Sequence, residues 1–208
     1  MKTAVISDGD ISYAAKLIKE GNLVAVPTET VYGLSASGFC KNAVEEIYNV
    51  KGRPETKPIS LLVSDMESVE KFCNTIPKEA YILADKFWPG PLTMILYKKD
   101  IIPDIVTAGG KTVGVRCPNH PLTLKLIREC DIPLATPSAN ISGMTSPKTA
   151  ADVLAYFDGK IPCVIDGGTC SVGVESTIVD MTVTPPKILR QGGLSKTDIE
   201  NALGMEVL

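Results

Sequence analysis

Helix-like and strand-like segments alternate along the whole of this 208-residue chain. Residues 10–21 carry apolar side chains at the spacing of one helical face, and Gly21 stands where such a helix would stop. Residues 23–26 then form a short apolar run that ends at Pro27, which is typical of a buried strand. A chain that returns repeatedly from amphipathic helix to apolar strand buries both by packing helices against a sheet. We therefore predict an α/β fold with a mixed sheet.

The same reasoning locates the other elements. Pro77 suits the first turn of a helix, and Ser195 suits a helix cap. The predicted helices cover residues 10–21, 42–51, 65–73, 77–87, 122–130, 149–157 and 197–203. The predicted strands cover residues 23–26, 59–63, 92–97, 112–117, 133–136, 163–165, 177–180 and 187–189.

The composition allows one sizeable core. Hydrophobic residues make up 44% of the chain and charged residues 22%, and the length suits one domain better than two. We expect a single domain over residues 1–208. The formal net charge of −3 gives no overall electrostatic footprint for nucleic acid, so an RNA contact would need a local patch.

Targeting and redox signals are also informative. The N-terminus lacks the apolar region of a signal peptide, and no later apolar run approaches the ~20 residues of a membrane span. We expect a soluble, cytoplasmic protein without membrane contact. The six cysteines lack C-x-x-C spacing, so we expect reduced thiols that serve mostly as small core residues.

Two polar segments follow predicted elements in the first third of the chain. Residues 27–34, Pro-Thr-Glu-Thr-Val-Tyr-Gly-Leu, come directly after an apolar strand, where α/β folds place their sites. An ordinary strand-to-loop connection explains them about equally well. Residues 51–58, Lys-Gly-Arg-Pro-Glu-Thr-Lys-Pro, place three cations at the end of a helix. The helix macrodipole favours cations there anyway, so a solvated basic turn is the alternative.

Two more polar segments lie later in the chain. Residues 135–143 offer hydroxyls and an amide that suit a small polar ligand or a phosphate, although turn formation explains Asn140 and Gly143 equally well. Residues 167–177, with residues 190–193 close behind, carry glycines that permit close approach of the backbone to a ligand. Paired glycines are also common in turns. Each of the four segments is a weak signal by itself.

Several common chemistries can be set aside. His120 is the only histidine, so a Ser-His-Asp triad or a histidine-based metal site has one candidate at most, and we interpret His120 as structural. Neither G-x-x-x-x-G-K-[ST] nor G-x-G-x-x-G occurs, so the standard phosphate-binding loops are missing. If ATP binds, side-chain cations must oppose its charge.

Taken together and in order, the four segments resemble the YrdC-like family of threonylcarbamoyl-AMP synthases. The match runs from residues 27–34 through residues 87–93, Phe-Trp-Pro-Gly-Pro-Leu-Thr, to residues 189–192, Leu-Arg-Gln-Gly. Its signature pairs Lys51-x-Arg53 with Ser138-x-Asn140. The resemblance implies an open, twisted mixed sheet with flanking helices and a large concave cavity, in a single-domain member of the family.

The resemblance also implies roles for individual residues. The catalytic signature is Lys51, Arg53, Ser138 and Asn140. ATP contacts are expected from Arg53, Lys57, Thr112, Ser138, Ser146 and Arg190. Threonine contacts are expected from Thr30, Arg116, Thr136 and Ser176. Many relatives carry a histidine in the strand after the Lys-x-Arg loop, where this chain has Leu62, so one contact with the amino acid is changed.

The implied reaction combines L-threonine, bicarbonate and ATP into threonylcarbamoyl-AMP and pyrophosphate, with Mg²⁺ on the phosphates. The product would serve a modification of tRNA next to the anticodon, so tRNA and a downstream threonylcarbamoyl-transferase complex are expected partners. Every reactant is an anion, and the expected opposing cations are Lys51, Arg53, Lys57, Arg116 and Arg190.

Arg116 also has support from its strand pattern. It alternates with Val113, Val115 and Cys117, so it points to the opposite face of the strand from these apolar neighbours. That placement favours a ligand contact over a buried structural charge. The planar fork of an arginine suits both oxygens of a carboxylate.

Two other functions are compatible with the same segments. One is a non-catalytic RNA-binding module, which the net charge and the aromatic content of 5% disfavour. The other is related carbamoyl-adenylate chemistry, which the same fold performs inside long multidomain chains.

Overall fold

The computed structural model describes residues 2–208, and its strands form one mixed sheet. The strands are β1 (Ala4–Ile6), β2 (Val24–Val26), β3 (Gly33–Ser37), β4 (Leu61–Leu62), β5 (Cys73–Asn74), β6 (Leu92–Lys98), β7 (Thr112–Arg116), β8 (Leu134–Ala135), β9 (Cys163–Ile165), β10 (Thr177–Asp180) and β11 (Lys187–Arg190). The helices are α1 (Ile11–Lys19), α2 (Lys41–Lys51), α3 (Met66–Glu70), α4 (Lys78–Phe87), α5 (Pro121–Cys130), α6 (Ala150–Phe157) and α7 (Lys196–Leu203). Short 3-10 helices cover Asp8–Asp10 and Asp104–Thr107.

The sheet is open and its strand directions are mixed. The strand order is β1-β9-β2-β3-β8-β4-β7-β6-β10-β11, and β5 pairs with β6 beside this path. The pairs β1/β9, β2/β9, β4/β7 and β6/β10 are parallel, whereas the remaining pairs are antiparallel. Because the first and last strands do not pair with each other, the sheet does not close into a barrel. The predicted fold class is confirmed.

Most of the predicted elements are confirmed within a few residues at each end. The helix predicted at 65–73 is too long, because α3 ends at Glu70 and Cys73 already belongs to β5. β1, β3 and β5 were not predicted. β1 has three residues, and β3 consists of Gly33, Leu34 and three small residues without the β-branched side chains that signal a strand.

The helices cover both faces of the sheet. Val24 and Val26 of β2 pack in a cluster with the apolar side chains of α1 and α5, whereas Ala25 between them belongs to a larger cluster that includes side chains of α2, α4 and α6. Successive residues of a strand point to opposite faces, so these two clusters lie on opposite sides of the sheet. The structure is therefore a three-layer α/β arrangement along β2.

The cysteines match the expectation from composition. All six cysteines are free; Cys73, Cys117, Cys130 and Cys163 are buried, which confirms that they serve as core residues. Among residues 2–208, no helix combines the length and the apolar character needed to cross a membrane.

The loop after β8 lies directly against β3. The N–H of Leu34 donates to the carbonyl oxygen of Pro137 at 2.9 Å, and Gly33 forms an isolated antiparallel bridge with Ser138. A Cβ atom on Gly33 would lie 2.3 Å from Cγ2 of Thr136, so a larger residue cannot stand there without moving the loop. Gly33 thus permits the polar segments at residues 27–34 and 135–143 to meet.

The buried side chain of Lys51 is hydrogen-bonded to the same loop. It is the last residue of α2, it is 1% exposed, and its Nζ donates to the carbonyl oxygens of Ser138 and Asn140. The N–H of Ser142 donates to the carbonyl oxygen of Lys51 at 2.9 Å. Burial, with a smaller contribution from Arg53, lowers the pKa of Lys51 to about 7. Lys51 therefore joins the end of a helix to a loop.

We expect Lys51→Met to lower the free energy of unfolding by about 2–4 kcal/mol at pH 7, because two carbonyl groups lose their donor. The pKa of Lys51 in the folded state, about 7, lies below that of an exposed lysine. Between about pH 7 and pH 10 the folded protein therefore binds fewer protons at this site than the unfolded chain, so the wild type gains stability as the pH rises. Urea titrations at pH 7 and pH 9 should show a larger difference between the two proteins at pH 9.

Lys41→Met is the matched control. Lys41 begins the same helix, and its exposed ammonium contacts Glu45 at 3.4 Å. Loss of this exposed pair should change stability by less than ~0.5 kcal/mol. Equal effects of the two substitutions would contradict the supporting role of Lys51.

Candidate active site

A cavity of about 210 Å³ lies on one face of the sheet. β7 shows how the strands form its floor: Val113 and Val115 point into the larger core cluster, whereas Arg116 lines the cavity. Thr93 of β6 and Ile178 of β10 line it in the same way. The predicted orientation of Arg116 relative to its apolar neighbours is therefore confirmed.

The segment after β2 forms one wall of the cavity. Thr28 and Thr30 line it, and their hydroxyl oxygens are hydrogen-bonded to each other at 2.9 Å. Oγ1 of Thr28 also donates to the carbonyl oxygen of Val31 at 2.6 Å, which fixes the turn. Glu29, between the two threonines, does not line the cavity but is buried behind it.

Arg116 and Glu29 form a buried ion pair at this wall. Nη2 of Arg116 lies 2.8 Å from Oε1 of Glu29, and the two residues are 7% and 5% exposed. Nη1 of Arg116 donates to Oγ1 of Thr30 at 2.9 Å, and its Nε donates to the carbonyl oxygen of Gly90 at 3.2 Å. The sequence argument that set a ligand contact against a buried charge is corrected, because Arg116 is a paired buried charge that also borders the cavity.

The loop after β8 forms the adjoining part of the cavity lining. Thr136 and Ser138 line the cavity. Oγ1 of Thr136 is hydrogen-bonded to Oγ of Ser35 at 2.9 Å, and Oγ of Ser138 donates to Oδ1 of Asn140 at 2.5 Å. The amide nitrogen of Asn140 donates to the carbonyl oxygen of Met144 at 2.6 Å, so Asn140 orients Ser138 and closes the turn.

Two further arginines reach the cavity, Arg53 from the loop after α2 and Arg190 from the end of β11. Arg53 donates from Nη2 to the carbonyl oxygen of Pro58 at 2.9 Å, and Arg190 donates from Nη2 to the carbonyl oxygen of Ser176 at 2.7 Å. Burial lowers the pKa of Arg53 and also that of Arg190, which nevertheless remain charged at neutral pH. Each guanidinium is therefore oriented by the backbone carbonyl of another residue that lines the cavity.

Glu175 is the one carboxylate that lines the cavity among the residues described in the structure. Oγ of Ser146 donates to Oε1 of Glu175 at 2.8 Å, and this bond, with smaller contributions from Arg190 and Lys148, lowers the pKa of the carboxyl group. The bond joins the loop before α6 to the loop before β10.

The structure brings seven of the twelve predicted site residues into the cavity lining: Thr30, Arg53, Arg116, Thr136, Ser138, Ser176 and Arg190. The other five do not line it. Lys51 is buried behind the loop after β8, and Asn140 is a buried residue of that loop. Lys57 is exposed, Thr112 lies at the start of β7, and the hydroxyl of Ser146 is bound to Glu175. Lys51 therefore presents no charge to the cavity, contrary to the sequence expectation, because burial and its two carbonyl partners hold it behind the wall.

Several lining residues were missed by the sequence argument. Thr28, Ser60, Thr93 and Glu175 line the cavity, and Glu29 pairs with Arg116. Alternation along residues 28–30 could have separated the two threonines from Glu29. Alternation along β6 also separates Thr93 from Leu92 and Met94, and the pairing of β6 with β7 brings it into the site.

His120 lies outside the cavity lining. Its ring packs so closely on Gly167 that a Cβ there would lie 2.6 Å from Nε2, and burial lowers its pKa. These contacts agree with the structural role expected from the sequence. No cysteine or histidine lines the cavity within residues 2–208. Three guanidinium groups and several hydroxyls in the lining suit oxygen-rich anions.

Comparisons with known proteins agree with this geometry. The Sua5/YciO/YrdC family model, described as "Telomere recombination", matches residues 16–192. The chain is 49% identical to the threonylcarbamoyl-AMP synthase of Pyrococcus abyssi over 199 residues and 45% identical to that of Bacillus subtilis over 199 residues. These matches cover 96% and 95% of this chain, which spans 58% of the length of each relative.

A solved structure of Pyrococcus abyssi Sua5 complexed with L-threonine superposes with a TM-score of 0.96 at 46% identity. The superposition covers 99% of this chain and 63% of that one. The family model spans most of the chain and the likeness to the solved structure spans nearly all of it. The chain therefore belongs to the Sua5/YciO/YrdC family.

Proposed function

We propose that this protein is an L-threonylcarbamoyladenylate synthase, an adenylate-forming nucleotidyltransferase that converts L-threonine, bicarbonate and ATP into threonylcarbamoyl-AMP and pyrophosphate. The observation that carries the proposal is the cavity that gathers Arg53, Arg116 and Arg190 among hydroxyl groups. The names of the relatives from Pyrococcus abyssi and Bacillus subtilis support it, as does the threonine complex of Sua5.

Threonine would bind at the wall formed by the first polar segment. Arg116 would engage the substrate carboxylate, because its guanidinium is fixed by Gly90 and Thr30 and borders the cavity. Thr30, Thr136 and Ser176 would supply hydroxyl contacts for the rest of the amino acid. Leu62 lines the same cavity and would face the apolar part of the substrate.

ATP would bind between the two remaining arginines. Arg53 and Arg190 would oppose the phosphate charges, and Ser138 would donate a hydrogen bond. Lys57, Thr112 and Ser146 lie outside the cavity lining, so contacts from these residues would require the neighbouring segments to move when the nucleotide binds. Lys51 and Asn140 would act indirectly by holding Ser138 in place.

The reaction needs close approach of several anions. The threonine amine attacks the carbon of bicarbonate, a water molecule leaves, and the resulting carbamate oxygen attacks the α-phosphorus of ATP as pyrophosphate departs. Repulsion among a carboxylate, a carbamate and a triphosphate amounts to several kcal/mol in a partly dry cleft. Three fixed guanidinium groups on different walls oppose it without reorganising during the reaction.

Mg²⁺ is the expected cofactor and would arrive on ATP. Within residues 2–208 no group of three or more metal-ligating side chains exists, so a preformed metal cage is absent from that part of the chain. Glu175, with Ser146 beside it, offers the oxygen donors that suit a cation held mainly by phosphates. The ion on ATP, together with the arginines, would neutralise part of the phosphate charge.

Two alternative functions differ from the proposed one in what they bind or consume. A non-catalytic RNA-binding module would bind tRNA without releasing pyrophosphate, and a filter-binding assay with tRNA tests it. A carbamoyl-adenylate enzyme would use carbamoyl phosphate in place of threonine and bicarbonate. The downstream transferase complex, tRNA and a cytoplasmic location are part of the proposal because the adenylate must reach tRNA.

The first test is the substrate requirement. Pyrophosphate release from ATP and Mg²⁺ should require threonine and bicarbonate together, because the attacking oxygen belongs to a carbamate made from both. The adenylate should be detected by mass spectrometry in the complete mixture only. Undiminished pyrophosphate release in bicarbonate-free buffer would contradict the mechanism.

The second test concerns Arg53. Arg53→Ala should lower kcat/KM by at least ~100-fold and leave the fold intact, because a charge-stabilising contact in the transition state is lost. Arg128→Ala is the matched control, since Arg128 is an exposed arginine of α5 outside the cavity lining. Near-wild-type activity of Arg53→Ala would make Arg53 an ordinary surface residue.

The third test concerns the amino acid. Valine should be rejected strongly, because it matches threonine in shape but leaves the hydroxyl-binding groups unpaired. Serine should be rejected only ~10- to 200-fold, because it lacks one methyl group. The measurement is kcat/KM for the three amino acids at saturating ATP and bicarbonate. Valine turning over as well as serine would show that the hydroxyl is not recognised.

A further inference from the structure

Glu29 stands behind the arginine that borders the cavity and cannot itself reach a ligand there. Thr28 and Thr30 point into the cavity, and Glu29 points away from it. Its Oε2 accepts a hydrogen bond from the N–H of Asn119 at 3.0 Å, and its carbonyl oxygen accepts one from the N–H of Val172 at 2.7 Å. The residue is thus fixed at both its side chain and its backbone.

Glu29 places a carboxylate directly beside Arg116. Oε1 of Glu29 and Nη2 of Arg116 lie 2.8 Å apart, and both atoms are buried. Nη1 and Nε of Arg116 donate to Oγ1 of Thr30 and to the carbonyl oxygen of Gly90, so all three nitrogens have a neighbouring oxygen. Glu29 can therefore affect a ligand of Arg116 only through the guanidinium.

A resident carboxylate on Arg116 must affect any second carboxylate that binds there. Two like charges a few ångströms apart repel each other appreciably even at an effective dielectric constant of ~20. The repulsion weakens the binding of substrate and of product alike, because threonylcarbamoyl-AMP keeps the carboxylate of threonine. Binding energy that is equal for substrate, transition state and product lowers KM without speeding the chemical step, and it delays release.

We propose that Glu29 is a positioning residue that shares the charge of Arg116 with the substrate carboxylate and so keeps that carboxylate weakly enough bound for product release. The inference rests on the proposed function, in which Arg116 receives the carboxylate of threonine. A purely structural role for the pair would stabilise the fold but would leave the affinity for threonine unchanged.

Glu29→Gln separates these roles, because the amide keeps the size of the side chain and an acceptor for the N–H of Asn119. We expect the variant to bind threonine ~10-fold more tightly by calorimetry, with a lower KM for threonine and a kcat reduced by a similar factor. L-threoninamide, which has no carboxylate, should bind the variant and the wild type equally. Glu45→Gln, at a half-buried position on α2 outside the cavity lining, is the matched control.

Loss of a buried counter-charge destabilises the free protein, so folding needs its own measurement. The rise of the melting temperature on adding threonine should be larger for Glu29→Gln than for the wild type. If that variant does not fold, Glu29→Asp, which keeps the charge but withdraws it from Nη2, should show a smaller tightening of ~2- to 3-fold. Unchanged or weaker threonine binding in the folded variants would overturn the inference, whereas a wild type without threonine-dependent pyrophosphate release would overturn the proposed function itself.

Discussion

Each strand of the sheet presents successive side chains to opposite faces, and the site depends on that constraint. Along β7, Val113 and Val115 enter the core while Arg116 faces the cavity. The smaller cluster, built on α1 and α5, covers only part of this face, and polar side chains occupy the lining of the cavity. A slip of one residue in β7 would bury the arginine in the core and expose two valines, so the register of the sheet also sets the chemistry of the site.

A cavity that gathers three guanidinium groups must keep them apart before any anion arrives. Arg53 donates to the carbonyl oxygen of Pro58, and Arg190 donates to that of Ser176. Arg116 contacts the carbonyl oxygen of Gly90, the hydroxyl of Thr30 and the buried carboxylate of Glu29. Backbone carbonyls are fixed partial charges, so the arginines are oriented before the substrates bind. Such preorganisation is the main source of catalytic power when no covalent intermediate forms.

Hydrophobic periodicity predicted the fold class and most elements, because it is a local signal. The seven predicted residues that line the cavity came from the resemblance to the family, and strand alternation supported only Arg116 among them. The sequence missed β3, whose small residues lack a strand signature and whose pairing with β8 depends on the fit of Gly33 against Thr136. It also treated Lys51 as a cation facing the substrates. The burial of that lysine follows from the position of the loop after β8, which the amino acids around Lys51 do not reveal.

Lys51, a residue of the family signature, is buried behind the cavity wall. Its nitrogen holds two carbonyl groups of the loop that carries Ser138, and Asn140 accepts from the hydroxyl of that serine. With a pKa of about 7, the lysine loses much of its charge near neutral pH, so hydrogen bonding is its main contribution. A buried polar network of this kind must be satisfied completely or it destabilises the fold. The same requirement fixes the position of Ser138, so stability and the geometry of the site depend on one set of bonds.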